Sequence, residues 1–142
     1  MTTKQYLGQI ERLNKMIENK MVEVAQIRAM ACNISVPIDK DRVQSSSNPD
    51  KMGERVAKLV DLERETDDLV NSFVQKRKHI IEQIDSLERK EHYLVLTYKY
   101  VQFMDFKEIF LKMGISERSM YSFYGQALKE FENLYGNEYM KS

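Results

Sequence analysis

The first third of the chain carries apolar residues at spacings of three and four. Lys20 interrupts this stripe, but its long aliphatic stem can follow the apolar face out to water. Such a stripe predicts an amphipathic helix from about residue 3 to about residue 33, with one face buried against a partner helix. The stripe consists of Tyr6, Ile10, Leu13, Ile17, Val24, Ile27 and Ala31.

A loop and a second long helix follow. Pro37 cannot continue a helix, so residues 34–48 are predicted to form a loop. The run Ser47-Asn48-Pro49-Asp50 combines a capping side chain, a first-turn proline and an early acid, which predicts a helix over residues 49–88. Its apolar positions are Met52, Val56, Leu59, Val60, Leu62, Leu69, Val70, Phe73, Ile80, Ile84 and Leu87.

Two long amphipathic helices joined by such a loop most simply fold back on each other. Residues 1–88 are therefore predicted to form a long antiparallel, coiled-coil-like helical hairpin. Both hairpin helices have apolar faces wider than one partner helix can cover, notably at Leu59, Val60, Leu62, Leu69, Val70 and Phe73. Surplus apolar surface usually marks an interface, so we expect a homodimer formed through the hairpin.

Residues 89–142 are predicted to form a separate small helical module rich in aromatic side chains. Leu94, Tyr98, Val101 and Met104 line one face of a lead-in helix. Asp105, with Glu108 three residues later, is predicted to cap a short helix that Gly114 ends. Ser116 caps the next helix, and Glu117 lies in its first turn.

Residues 106–125 have the spacing of a helix-turn-helix. Ile109, Met113, Ile115, Met120 and Phe123 occupy the positions that must be apolar for the two helices to pack. The outward positions can enter the DNA major groove, with Lys129 on a phosphate. The alternative is an ordinary helical corner in a small core. The predicted DNA-binding residues are Ser116, Glu117, Arg118, Ser119, Tyr121, Ser122 and Lys129.

Composition narrows the function classes. Lys and Arg number 22, as do Asp and Glu, so no overall charge attracts nucleic acid or a membrane. Apolar runs are too short to span a membrane, and the single cysteine, Cys32, fits a reducing cytoplasm. His79 and His92 are thirteen residues apart and far from Cys32, and no phosphate loop or metal-ligand spacing occurs. We expect no enzyme, no catalytic or metal site and no cofactor.

Local charge and the predicted loop leave three points open. Residues 105–142 hold five basic and six acidic side chains, so the module should bind DNA weakly unless it acts within a larger complex; otherwise its exposed face meets protein. The basic runs Lys76-Arg77-Lys78-His79 and Arg89-Lys90 could touch flanking phosphates, although a solvated helix face paired with nearby acids is the favoured interpretation. The polar loop Val43–Ser47 either presents a recognition element or merely reverses the chain.

Several motifs together suggest a family. The C-terminal part resembles region 4 of bacterial sigma factors in Leu94, Lys99-Tyr100-Val101, Lys107-Glu108-Ile109, Met113-Gly114-Ile115-Ser116, Arg118, Tyr121 and Ala127-Leu128. With Tyr6-Leu7, Asp41-Arg42-Val43-Gln44-Ser45-Ser46 and Asp50-Lys51-Met52, nearly the whole chain is similar to a phage family of Gram-positive bacteria catalogued as a domain of unknown function. Its members combine a hairpin with a sigma-region-4-like end and are similar to phage late-gene transcription activators.

The resemblance implies transcriptional regulation during phage or prophage development. The leading hypothesis is a cytoplasmic regulator, in the host bacterial cell, that binds double-stranded promoter or operator DNA. Its hairpin would serve for dimerisation or contact with RNA polymerase. The alternatives are a non-catalytic module that docks on RNA polymerase or another host protein without reading DNA, and a coiled-coil adaptor.

Overall fold

The computed structural model describes residues 1–35 and 49–140, and this part of the chain is helical with short connections. The all-α prediction is confirmed, since no strand occurs among these residues. The elements in order are α1 (Thr3–Ser35), α2 (Pro49–Asp85), α3 (Lys90–Leu96), a π-helical segment (Thr97–Val101), α4 (Phe106–Met113) and α5 (Glu117–Tyr139).

The ends of the long helices differ slightly from the prediction. α1 runs to Ser35, two residues into the predicted loop, and α2 begins at Pro49 as expected. α2 stops at Asp85 instead of about residue 88, because the Ser86 hydroxyl donates to the Gln83 carbonyl and the backbone tightens into a turn. The rest of the predicted loop, including Val43–Ser47 and the cap before Pro49, lies outside the described residues.

The predicted lead-in helix is not a single α-helix. α3 ends at Leu96 and continues as a π-helical turn, in which the Gln102 amide donates to the Thr97 carbonyl. The helical segment ends at Val101, so Met104, predicted to lie on the lead-in helix, falls after its end. Phe103 follows with a φ of 57°, a left-handed conformation that costs energy in a bulky residue, and its ring stays 43% exposed.

Contacts divide the chain into two compact units: residues 1–15 with 75–142, and Met16–Val74. In the second unit, Ile17, Val24 and Ile27 of α1 are buried, and Arg28 Nε lies 2.5 Å from a carboxylate oxygen of Glu63 in α2. The predicted domain boundary at residue 88, and the hairpin over all of residues 1–88, stay predictions.

The first unit has α5 at its centre. Phe131 is fully buried, and its ring contacts those of Tyr6, Tyr135 and Tyr139 at centroid distances of 5.9, 5.1 and 6.2 Å. α3 packs chiefly on α5. The core therefore draws on the first turns of α1 and the last turns of α2 as well as on the C-terminal helices. Its fully buried members also include Leu7, Ile10, Ile80, Ile84, Val95, Leu96, Ile109 and Met120.

Polar side chains join these elements. The Tyr6 hydroxyl donates to Gln83 Oε1 at 2.5 Å, and the Thr3 and Tyr139 hydroxyls lie 2.8 Å apart. Burial raises the pKa of Tyr6 and Tyr139 above that of an exposed tyrosine. Within this unit, Tyr6 meets Gln83 while Asn14, later in α1, meets Arg77, earlier in α2. The two helices are therefore antiparallel here.

Candidate nucleic-acid interface

Local hydrogen bonds fix the turn between α4 and α5. The Asp105 carboxylate accepts the Glu108 amide at 2.8 Å, as the sequence predicts. Gly114 has a φ of 69°, and the Gly114 and Ile115 amides donate to the Leu111 and Phe110 carbonyls. These paired bonds are a Schellman motif, which only a left-handed residue such as glycine closes cheaply. The Ser116 hydroxyl accepts the Ser119 amide at 3.1 Å and caps α5.

One face of α5 holds the helix in the core. Met120, Tyr124 and Ala127 are buried, and Ile109 of α4 is fully buried too. Phe123 was predicted to lock the two helices, but it lies half-buried at the flank, and Tyr124 points inward. The reason is the helical period, which puts position 124 on the same face as 120 and 131.

Tyr124 also forms a buried polar contact. Its hydroxyl lies 2.5 Å from that of Tyr100 in the π-helical segment. Burial raises the pKa of both tyrosines, so each stays protonated at neutral pH. The pair anchors α5 to the segment that precedes α4.

The predicted DNA-binding residues are all exposed: Ser116, Glu117, Arg118, Ser119, Tyr121, Ser122 and Lys129. At about 100° per residue, Arg118, Ser122 and Lys129 lie within about 40° of each other around the helix, opposite the buried face. Gly125 and Gln126 share this side and are exposed as well. We call Arg118, Ser122, Gly125, Gln126 and Lys129 the outer stripe of α5. Ser116 and Ser119 are outside it, engaged in the helix cap.

Cations within and beside the outer stripe are available to an anion. Arg118 and Lys129 form no ion pair within residues 1–35 and 49–140. On one flank, the Arg89 guanidinium lies 5.5 Å from the centroid of the Phe123 ring, although it also pairs with Glu91 at 3.5 Å.

The other flank carries a lysine held by aromatic rings. Lys99 Nζ lies 4.4 Å from the centroid of the Phe106 ring, and that ring contacts Tyr121 at 5.1 Å. Positions 121 and 123 are about 200° apart around α5, so Lys99 and Arg89 approach opposite flanks of the outer stripe. The fold therefore places two cations from other elements beside a helix whose own segment is slightly acidic.

The basic run in α2 is engaged with nearby side chains instead. Lys78 lies 3.9 Å from Glu82, Arg77 donates to Asn14 at 2.6 Å, and His79 Nε2 lies 2.6 Å from Glu138. The Lys78–Glu82 pair is of the kind that the solvated-face interpretation predicts, whereas the partners of Arg77 and His79 lie in α1 and α5.

A hydrogen-bonded chain links α3 to the outer stripe, and sequence reasoning missed it. His92 is buried, with Nδ1 2.6 Å from Glu130 Oε1 and Nε2 3.2 Å from Gln126 Oε1. Gln126 Nε2 in turn donates to the Ser122 hydroxyl at 3.2 Å. The signal available in the sequence was the four-residue spacing of Arg118, Ser122 and Gln126, which places these side chains next to one another on one face of α5.

The described part of the chain has neither a cluster of metal-ligating side chains nor a membrane-spanning helix. No group of three or more His, Cys, Asp or Glu side chains there could hold a metal ion. None of its helices combines the length and apolar character needed to cross a membrane. The expectation that the protein is not an enzyme stays a prediction.

Comparison with known proteins gives one match. A family model described as "Protein of unknown function (DUF1492)" matches residues 34–132, more than half of the chain. The matched range includes the α4–α5 turn, Arg118 and Lys129. It also includes the hydrogen-bonded side chains of His92, Gln126 and Ser122. No curated protein matches, and neither does any solved structure.

Proposed function

The chain belongs to the family DUF1492, whose description assigns no function, and we propose that it is a transcription regulator that binds double-stranded DNA through the outer stripe of α5. The observation that carries this proposal is the unpaired state of Arg118 and Lys129 within the described residues, on the exposed face of a helix fixed by its caps and core. A major groove admits one such helix, and guanidinium and ammonium groups are suited to base edges and phosphates.

The flanking cations, Arg89 and Lys99, offset the slightly acidic charge of the C-terminal segment. Residues 105–142 carry one more acidic than basic side chain. Arg89 and Lys99 come from outside this range, and each is held against an aromatic ring beside α5. Two strands of phosphates border a major groove, so cations on both flanks can contact both borders.

Assembly is the second part of the proposal. A single reading helix with few cations binds weakly, whereas two copies, or one copy held on RNA polymerase, add their contacts. α1 and α2 supply the surface for dimerisation or polymerase contact, since Leu62 and Leu69 are 44% and 40% exposed. A phage or prophage regulator with a sigma-region-4-like helix-turn-helix, acting in the bacterial cytoplasm, fits this arrangement.

Titration of fluorescent duplex DNA across a salt series tests DNA binding. Fragments from the region around the gene supply the probes, and a scrambled duplex reports sequence preference. Arg118→Ala is expected to lower affinity for the preferred duplex about tenfold or more, because a bidentate arginine–guanine contact discriminates by about 1–3 kcal/mol. Lys129→Ala should weaken all duplexes similarly and reduce the salt slope by about one.

Matched controls exist on α2. Arg55→Ala and Lys58→Ala remove the same charges from exposed positions in the other compact unit. Both should leave affinity and sequence preference nearly unchanged. If Arg118→Ala behaves like Arg55→Ala, the proposal that α5 reads DNA is wrong.

A second candidate function is protein docking without DNA reading, and one observation favours it. Leu111 of α4 is 64% exposed, and Phe103 is 43% exposed in its left-handed conformation. Exposed apolar side chains near a charged helix suit a protein partner such as RNA polymerase. Two results together would favour protein docking over DNA reading. RNA polymerase would co-purify with the wild-type chain but not with Leu111→Ser, and DNA binding would be absent or independent of salt.

A further inference from the structure

Gln126 occupies a position in the outer stripe where its amide is held from both ends. We propose that Gln126 is a specificity-determining residue that reads an adenine base in the major groove, with its amide oriented by His92 and Ser122. This inference rests on the proposed DNA-binding function and names one base contact within it.

The orientation begins in the core. His92 is 7% exposed, its Nδ1 lies 2.6 Å from the Glu130 carboxylate, and the Phe123 ring packs edge-on against the imidazole at 6.5 Å. The ring is therefore fixed before it meets Gln126. A free glutamine side chain loses rotamer freedom when it binds a base, whereas one already held loses less, so the held amide binds more tightly and selectively.

Counting donors and acceptors shows what the amide can still offer. A glutamine amide has two N–H donors and two lone pairs on its oxygen. One lone pair faces His92 Nε2, and one N–H is donated to Ser122. One donor and one acceptor remain, and adenine presents the complementary pair, the N7 acceptor and the N6 donor.

The same donor and acceptor remain whichever of the two end atoms of the Gln126 amide is the oxygen and whichever is the nitrogen. If its oxygen and nitrogen are exchanged, the Gln126 N–H donates to His92 Nε2, which is the acceptor of a neutral ring whose Nδ1–H donates to the Glu130 carboxylate, and the Ser122 hydroxyl donates to the amide oxygen. One N–H and one lone pair again remain. One donor and one acceptor therefore remain in either placement, which is the complement that an adenine edge presents.

The position on α5 gives the geometry of reading. Gln126 lies eight residues after Arg118 on the same side of the helix, a rise of about 12 Å along its axis. Base pairs stack at about 3.4 Å and a reading helix lies at an angle to the duplex axis, so the adenine should lie no more than about three or four base steps from the base that Arg118 contacts. Ser122 lies between them and contacts the intervening step or its phosphate.

Selection from a duplex library with a randomised central region tests the proposal, using the full chain. Wild type should enrich a motif that contains an adenine. Gln126→Ala should lose the preference at that position, by about 5- to 150-fold, and keep the rest of the motif. Gln126→Glu should shift the preference to cytosine, whose N4 amino group donates to a carboxylate. Ser122→Ala should weaken the adenine preference without abolishing it.

The controls separate the possible failures. Gln75→Ala removes an exposed glutamine from α2 and should leave the motif unchanged. Alanine suits an exposed helix position, but Gln126→Ala also removes the partner of buried His92 Nε2, so the thermal melt of each variant measures the stability that is lost. An unchanged adenine preference in Gln126→Ala overturns the inference while DNA reading stands. No enriched motif with wild type overturns the proposed function and this inference with it.

Discussion

Gly125 gives a prediction in which stability and DNA binding move in opposite directions. It lies on the exposed side of α5 between Arg118 and Lys129, and a Cβ added there would meet no atom within 4 Å. Its φ is not positive, so the backbone has no need of glycine. Glycine inside a helix costs about 0.5–1 kcal/mol relative to alanine because the unfolded chain loses more freedom.

Gly125→Ala should therefore raise the free energy of unfolding by about 0.5–1 kcal/mol, with no strain to offset the gain. In a unit of this size, that is an increase in melting temperature of about 2–8 °C. The same methyl group projects into the space where a duplex backbone or base edge would approach the helix. We expect affinity for duplex DNA to fall by about threefold or more despite the higher stability.

Gly53→Ala is the matched control. Gly53 is exposed on α2, and a Cβ there also meets nothing within 4 Å. It should stabilise α2 similarly and leave DNA affinity unchanged. Thermal melts and anisotropy titrations of both variants decide the matter. A stabilised Gly125→Ala that binds DNA as well as wild type would refute the close approach, and one that is not stabilised would refute the helix-propensity argument.

Four further predictions concern stability and assembly. Phe131→Ala should lower the free energy of unfolding by about 3–5 kcal/mol in urea titrations, because its buried ring contacts three others; a loss below 1 kcal/mol would contradict this core assignment. Tyr6→Phe should cost about 1–3 kcal/mol by leaving buried Gln83 without its donor; a neutral effect would mean that water replaces the hydroxyl. Burial raises the pKa of Tyr100, so the stability that this tyrosine contributes is complete below about pH 10 and falls above it by up to about 1.4 kcal/mol per pH unit. Tyr100→Phe should make the free energy of unfolding fall less steeply at alkaline pH. An unchanged slope would refute the assignment of this pH dependence to the burial of Tyr100. Sedimentation at micromolar concentration should show a homodimer that Leu62→Glu with Leu69→Glu dissociates; a wild-type monomer would contradict the dimer.

Local features of the sequence predicted local features of the structure well. Asp105, Gly114 and Ser116 act through hydrogen bonds to residues three or five positions away, so a short window contains all the information. The exposure of Arg118 and Lys129 follows from helical periodicity in the same way. The helix content of the long segments follows from their apolar spacing.

Features that depend on distant partners could not be predicted. The contact between the Tyr124 and Tyr100 hydroxyls joins different elements, and the partner is not visible in the periodicity of α5 alone. The π-helical turn adds a residue that an apolar spacing does not encode. The contact of Gln126 with His92 joins residues 34 positions apart on different helices. DNA reading itself depends on a molecule that no intramolecular pattern specifies.

The hydrogen bond between Thr3 and Tyr139 has a consequence for how the protein folds. It joins residues 136 positions apart, and the stacked rings of Tyr6 and Tyr139 bridge nearly the same separation. Helical proteins usually fold fast because their contacts are local, but this core closes only when both segments have met. On the ribosome, the apolar faces around Leu7 and Ile10 must wait for α5 to be synthesised, which takes roughly 6–26 s at about 5–20 residues per second. During that interval the nascent chain exposes apolar surface, which is the kind of surface that chaperones bind.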